Sequence, residues 1–573
     1  MQTIFTPISG KIKQNPSGPV SESCCFLGTA LDGPLNKPIQ ITDYVSAQAL
    51  FGPANYSNGY LDPRTGTESG APNGSTIPLD IMQAINSGCT NIWVCRISGN
   101  TAVGTGAFSN ILDVHALYPG RIYNGTSLVL AQVSGAIQVT YNQPNVKGGT
   151  VVTSFASSLS IYDLITSINN YSLNQTIHIH YDTYPTYWYQ SAWTVIGSGG
   201  GTVTLQGGTY GTRAVGEDYG PDQANGVNGL ATSLTAPVTG TFDVLQGLNQ
   251  RFDSYCLNSI YFDDQVVNGG SAGSTTIAWD FAQFLDNQTI NIGPTRGFMS
   301  VRPPKLRDDA SIVSYLTNNL LNTTPGLYSS TRRWINAGAV ALQGFLRTDS
   351  VVGIKDFGGL LSVVAGPEVL FQHPDIGVYS DMWHAAYAAQ LTTTPPEDSL
   401  VGHSLSAING YGVKYPKQYV DALVNGAGYN PNNNIAGSGA FVCLINNKNN
   451  VNGPMLVYDD PTMASRSDYF RQDQLTHLVN SIMNDVDLAL QPFYGGPTNA
   501  QAIAAMETVV TNIMEGYNNS GGIMGSKGSG YDFTISLVGN DAELGAIHVY
   551  MEVNPSRALR RIYLTLAVRN PTS

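Results

Sequence analysis

The chain has 573 residues, of which 42% are apolar and 10% aromatic, so hydrophobic cores can form and global disorder is excluded. Only 12% are Asp, Glu, Lys or Arg, against about a quarter in an ordinary soluble domain, so Asn, Gln, Ser, Thr and Gly must cover the surface. A net charge of −13 excludes nonspecific nucleic-acid binding through basic stripes, and no run of about 18 apolar residues exists to span a membrane.

A chain of this length exceeds one core and predicts about three to four domains. A weakly charged surface is a poor way to stay monomeric and suits contact with other copies of the chain. Residues 1–20 read as an arm: Ile4 and Ile8 flank Pro7, and Gly10, Pro16, Gly18 and Pro19 break any regular element. Pro7 restricts this segment to an edge strand. "MQTIFTPISGKIKQNPSGPV" has no apolar signal core, so the expectation is a protein made and kept in the cytoplasm or released by lysis.

From Ser23 the texture is compact α/β. "CCFLGTA" predicts a buried strand, "PLNKPIQITD" a turn and strand, and "VSAQALFG" a short helix stopped by Gly52. "STIPLDIMQAINSG" predicts a helix with Ile77, Ile81, Ala84 and Ile85 on one face and Gly88 at its end, followed by the strand "TNIWVCRIS". Between residues 101 and 215 helical periodicity nearly vanishes, apart from "SIYDLITSINNY". Runs such as "TSLVLAQVS", "AIQVTYN" and "TVTLQGGTYG" predict an inserted β-rich outer domain. Its aromatic run "YDTYPTYWYQSAW" is read as core and strand packing, with a carbohydrate-binding surface as the alternative.

From 216 to 400 helices alternate with short strands, an α/β layer pattern that joins residues 21–100 in one middle domain. Residues 401–573 are expected to form a C-terminal core domain. There "SDYFRQDQLTHLVNSIMNDVDLALQPF" puts Leu475, Leu478, Val479, Ile482, Met483, Val486 and Leu490 on one stripe, with Ser467 or Asp468 as the expected cap and Pro492 as the stop. "NAQAIAAMETVVTNIMEGYNN" repeats the pattern with Ile503, Met506, Val510 and Ile513. "YDFTISLVG", "IHVYMEV" and "RIYLTLAV" then alternate with period two, giving helix, helix and three strands. The fold class is therefore α+β multidomain.

The inventory of chemistry is thin. Gly269, Gly270, Ser271, Ala272 and Gly273 match G-x-S-x-G, but "NGGSAGSTT" reads as a flexible loop and "YFDDQVVN" is polar for the strand a nucleophile elbow needs. His178 and His180 face the same way on a strand, yet a metal needs three or four ligands, and only Asp182 is near in sequence. The doublets Asp263–Asp264, Asp308–Asp309 and Asp459–Asp460 lie beside turn residues, which explain them. "GGIMGSKGSG" misses phosphate-loop spacing and reads as a mobile turn. Cys24, Cys25, Cys89, Cys95, Cys256 and Cys443 form no C-x-x-C pair and are expected to be buried thiols.

Four stretches, in order along the chain, resemble a known family. They are "FLGTALDGPLNKPIQITDYVSAQALFG", "DIMQAINSGCTNIWVCRIS", "YPGRIYNGTSLVLA" and "IHVYMEVNPSRALRRIYLTLAVR". Together they resemble contractile tail sheath proteins of bacteriophages and related injection particles. The resemblance implies a middle α/β domain of subtilisin-like layout, with no protease activity, and a variable outer domain. It implies a structural subunit without cofactor or metal, polymerised as stacked hexameric rings around a tail tube protein and joined to baseplate and neck proteins. It implies neither nucleic-acid binding nor membrane insertion. The expected location is the virion tail, after assembly in the host cytoplasm. Contraction is implied to drive the tube through a cell envelope.

The same resemblance implies that terminal arms complete the sheets of neighbouring subunits. The alternation of Ile562, Leu564, Leu566 and Val568 needs a hydrogen-bonded partner, and the arm carrying Ile4 and Ile8 suits a donated strand. Each backbone bond is worth about 0.5–1.5 kcal/mol net, and each large apolar side chain buried adds about 1.5–3 kcal/mol. The alternative is an internal hairpin between "HVYMEV" and "RIYLTLAV". Arg557, Arg560, Arg561 and Arg569 make the end basic; they face either an acidic stripe on the tube or a neighbour, or form a solvated loop. Two other functions stay open on sequence alone. One is a serine hydrolase using Ser271 with a glycan-binding β domain; the other is a non-contractile virion structural protein.

Overall fold

A computed structural model describes residues 22–30, 32–54, 76–97, 103–106, 108, 111–117, 124–143, 149–174, 177–180, 189–206, 241–248, 250–262, 265–266, 275–301, 309–321, 357–425, 439–445, 454–464, 471–496, 499–536 and 547–557. Among these residues eight strands form a central sheet. Their spatial order is Ile39–Ile41, Ile92–Arg96, Cys24–Gly28, Ser254–Tyr261, Arg296–Ser300, Leu361–Gly366, Phe441–Ile445 and Leu456–Asp459. The six inner strands run parallel and the two outer ones antiparallel to their neighbours. Parallel strands are covered on both faces and so read as continuous apolar runs. "CCFLG", "RGFMS" and "LSVVAG" are buried at every position, which is why their sequences do not alternate.

Helices cover this sheet closely. The Ile77–Asn86 helix enters beside Thr29, whose N–H donates to Thr76 Oγ1 at 3.0 Å. The Ile277–Asn291 helix lies so near the sheet that a Cβ on Gly297 would collide with Leu285 Cδ1 and meet Phe281 Cε1 at 2.7 Å. The small-residue His384–Leu391 helix is buried at nearly every position, as Ala-rich close packing requires.

A second sheet of seven described strands is antiparallel throughout. Its order is Gly149–Ala156, Ala136–Gln143, Ser127–Val133, Gly201–Gln206, Val103–Gly106, Asp113–Ala116 and Ile177–His180. Ser134 and Gly135 join two of these strands with φ of 52° and 78°. Both are left-handed, the geometry of a two-residue hairpin turn whose twist matches its strands. Ile161, Leu164, Ile165 and Ile168 of the Ile161–Asn169 helix seal one face, and the resulting core shares no buried residue with that of the central sheet.

The third core is C-terminal. The Asp473–Leu490 and Ala500–Asn519 helices pack beneath a hairpin of Tyr531–Ser536 and His548–Val553. Leu478, Ile482 and Val486 of the first helix face this third core, while Val479 is buried in the central one. We call it the shared helix.

Two expectations are corrected here. Residues 401–573 do not make one C-terminal core, because Phe441–Ile445 and Leu456–Asp459 complete the central sheet. The Phe441–Ile445 strand is continuously apolar, and such a run carries no mark of the sheet it will join. The shared helix starts at Asp473 after Gln472, not after Ser467 or Asp468. Asp473 sits in its first turn, where a carboxylate complements the helix dipole.

Candidate assembly site

The terminal hairpin pairs Tyr531 with Val553 through to Ser536 with His548. Tyr531, Phe533 and Ile535 are buried, and Ile547, Val549, Met551 and Val553 pack against the same core. Asp532, Thr534, Tyr550 and Glu552 occupy the opposite, exposed face. Lys527 lies 4.2 Å from the Phe533 ring centroid, a cation–π contact at the hairpin's end. Tyr531 Oη donates to Glu515 at 2.6 Å, fastening the hairpin to the second helix. Tyr517 Oη donates to Asp485 at 2.7 Å, fastening the second helix to the first. Burial pushes the Asp485 carboxyl up, although the Tyr517 bond opposes it.

Among the described residues neither hairpin strand has a second strand beside it. Isolated bridges link Tyr531 to Lys527 and Pro555 to Ile523. Beyond the hairpin, Met524 N–H donates to Asn554 O at 2.9 Å and Ser556 N–H to Gly522 O at 2.8 Å. These bonds fix the path of the chain as it leaves toward Arg557, which is exposed. Two-stranded ribbons are marginal alone, and their outer backbone groups are templates for further strands.

Ile4, Ile8, Ile562, Leu564, Leu566, Val568, Arg560, Arg561 and Arg569 lie outside the described residues, as does Leu537. The Tyr531–Ser536 strand takes one edge of "HVYMEV". The choice between strand exchange and an internal pairing with residues 562–568 therefore concerns the hairpin edges that carry no further strand among the described residues.

Sequence reasoning missed a polar cluster around Glu22, the first described residue. Glu22 accepts from His477 Nε2 at 2.8 Å, from Ser481 Oγ at 3.2 Å and from Arg296 Nη2 at 3.2 Å. Arg296 Nη1 also reaches Asp473 Oδ2 at 3.4 Å, and Asp473 Oδ1 accepts from Ser362 Oγ at 3.0 Å. Next along the chain, Ser23 donates its N–H and Oγ to Asp253 Oδ2 at 2.8 and 2.9 Å. Asp253 Oδ1 accepts from Arg251 Nη2 at 2.9 Å and Asn484 Nδ2 at 3.1 Å. Burial pushes the Glu22 carboxyl up, but His477, Arg296 and Ser481 together overcome it and hold its pKa at about 2. The one signal in the sequence was the isolated arginine in the apolar run "RGFMSV", since a buried Arg demands carboxylate partners.

The structure describes only some of the remaining motifs. Ser271 and its glycines, Asp263–Asp264, Asp182 and Asp308 lie outside the described residues. Asp459 and Asp460 are buried, and Asp460 Oδ2 accepts from Ser399 Oγ at 2.8 Å. The outer sheet places His178 opposite His115 and His180 opposite Asp113, with His115 Nε2 2.9 Å from Asp113 Oδ1. Among the described residues no group of three or more His, Cys, Asp or Glu is arranged to hold a metal. The "GGIMGSKGSG" stretch is a bonded turn: Gly530 N–H donates to Ser526 O at 2.8 Å and Gly528 N–H to Tyr531 O at 2.7 Å. Of the aromatics in the run, Tyr189 and Trp193 lie within the described residues: Tyr189 is 89% exposed and Trp193 packs on the outer core. All six cysteines are free and buried, as expected. No helix among the described residues is long and apolar enough to cross a membrane.

No protein-family model matches the sequence, and no curated protein matches it either. Solved structures do match. A sheath tail protein from Listeria innocua superposes with a TM-score of 0.50 at 12% identity, covering 93% of this chain and 92% of that one. A sheath tail protein from Desulfitobacterium hafniense gives 0.47 at 12% identity, covering 92% and 93%. The sheath complex of an extracellular contractile injection system in its contracted state gives 0.45 at 9% identity, covering 99% and 98%. The chain thus has the fold of a sheath tail protein, and the Listeria structure carries that assignment over nearly the whole length of both chains.

Proposed function

We propose that this chain is the structural subunit of a contractile tail sheath. Copies polymerise helically around a tail tube, in stacked hexameric rings, and shorten to drive the tube through a cell envelope. The observation that carries this reading is the terminal hairpin. It has a sealed inner face, and no second strand lies along either edge among the described residues. The shared fold supports the reading. Strands donated by residues around Ile4 and Ile8 and around Ile562, Leu564, Leu566 and Val568 extend the hairpin of neighbouring subunits. Such joints hold while rigid cores swing past one another, and the switch between long and short forms is a change of packing between subunits. Chemistry at a cofactor plays no part in this scheme. Arg557, Arg560, Arg561 and Arg569 face the tube or an adjoining subunit, and baseplate and neck proteins bound the stack. The outer sheet, set on its own core, faces away from the tube.

Negative-stain microscopy of the purified chain tests the proposal. Striated hollow tubes are expected from the intact protein, and soluble single subunits after deletion of residues 1–20 or 560–573. Monodisperse particles from the intact chain contradict it.

A further inference from the structure

Glu22 and Ser23 lie just after the segment read as the arm, residues 1–20, and they are tied to three separate elements. Glu22 meets the Arg296–Ser300 strand through Arg296 and the shared helix through His477 and Ser481. Ser23 meets Asp253 at the start of the Ser254–Tyr261 strand, and Asp253 in turn is held by Asn484 of the shared helix. The Cys24–Gly28 strand that follows is an inner strand, bonded on both sides.

We infer that Glu22 and Ser23 form a clamp that fixes the root of the N-terminal segment to the shared helix. Tension on residues 1–21 then passes into the helix and the central sheet together instead of unzipping the Cys24–Gly28 strand. That a neighbouring subunit supplies this tension rests on the proposed sheath role; the clamp itself belongs to the single subunit.

Three physical points support it. A pull on a strand end breaks ladder bonds one at a time, whereas a cluster bonded to several elements must break as a unit. Separating Glu22 from Arg296 takes one of two carboxylate partners from a guanidinium whose side chain is only 2% exposed, leaving it Asp473 at 3.4 Å. A buried ion cluster adds little net stability compared with apolar packing, so its placement at this junction points to positioning. The shared helix is also an element through which two cores meet, since it buries Val479 in one and Leu478, Ile482 and Val486 in the other. Movement of the clamp therefore reaches both.

The test uses the full-length subunit and does not need tubes, so it stands apart from the sheath proposal. Glu22→Gln keeps the shape of the side chain and removes its charge. Hydrogen exchange followed by mass spectrometry is expected to show amides of residues 23–28 exchanging about tenfold faster or more, while residues 361–366 keep their protection. Single-molecule pulling between residue 2 and a handle at Leu488 is expected to show a lower first rupture force in the variant. Pulling between Tyr189 and Leu488 is expected to leave the force unchanged. Equal acceleration across the whole central sheet, or unchanged exchange and force at the arm root, overturns the inference. If Glu22→Gln fails to fold, Ser481→Ala, which deletes one neutral donor, is read by the same two measurements with a smaller change in the same direction.

Discussion

Glu22 and His477 are separated by 455 positions in sequence and meet at 2.8 Å. The contact joins the first described residue to the helix that two cores share. It makes the base of the N-terminal segment part of the C-terminal architecture.

Acid should weaken this contact only at low pH, because the Glu22 carboxyl holds its charge below the usual carboxylate range. Glu22 has its carboxyl pKa lowered from 4.5 to about 2. A depressed carboxylate contributes stability that is fully present above its unfolded value and disappears as pH falls through its folded value. The contribution is therefore complete above about pH 4.5 and lost between there and about pH 2. Denaturant melts of Glu22→Gln should show a shallower loss of stability than the parent across that window. Parallel curves would show that Glu22 takes up no proton on unfolding there.

Gly297 has no room for a methyl group, because a Cβ meets Leu285 and Phe281 inside 3 Å. Gly297→Ala should cost about 1–3 kcal/mol through overpacking, seen as a lower thermal midpoint. An unchanged midpoint would mean that the Ile277–Asn291 helix can shift away from the sheet freely.

Gly135 lies at φ 78° in the outer-sheet hairpin, with nothing near its missing Cβ. Gly135→Val should destabilise the outer sheet by about 1–2 kcal/mol from backbone strain alone. Exchange rates should rise in residues 127–143 and stay level in the central sheet, because the two cores are separate.

Burial pushes the thiols of Cys24, Cys25, Cys95, Cys256 and Cys443 up, so they are un-ionised and unreactive in the folded chain. Iodoacetamide at neutral pH should label none of these five in the native protein and all of them in denaturant. Rapid labelling of any one in the native state would contradict its burial.

Much of the fold was legible where a local pattern is also the packing pattern. The period-two runs at Tyr531–Ser536 and His548–Val553 became the hairpin, and the stripe of Leu478, Ile482 and Val486 became its floor. The unbroken runs around Cys24 and Leu361 became buried parallel strands. What escaped was long-range. Nothing local in "FVCLI" says that it rejoins the central sheet. Nothing near Glu22 names His477, and no property of His178 foretells that its cross-strand neighbour is His115. The shared helix begins later than its sequence suggested, at Asp473 after Gln472, whose side chain makes no capping bond. Capping residues in a sequence offer a start, and tertiary contacts choose among the offers.

The account depends on strands lent between molecules. A cryo-EM map of assembled tubes tests this most directly, by tracing the chain beside the Tyr531–Ser536 and His548–Val553 hairpin. The account predicts added strands there that connect to the N-terminal segment or the 562–568 segment of adjoining subunits. A map in which both terminal segments fold onto their own subunit, with only side-chain contacts between copies, would contradict it.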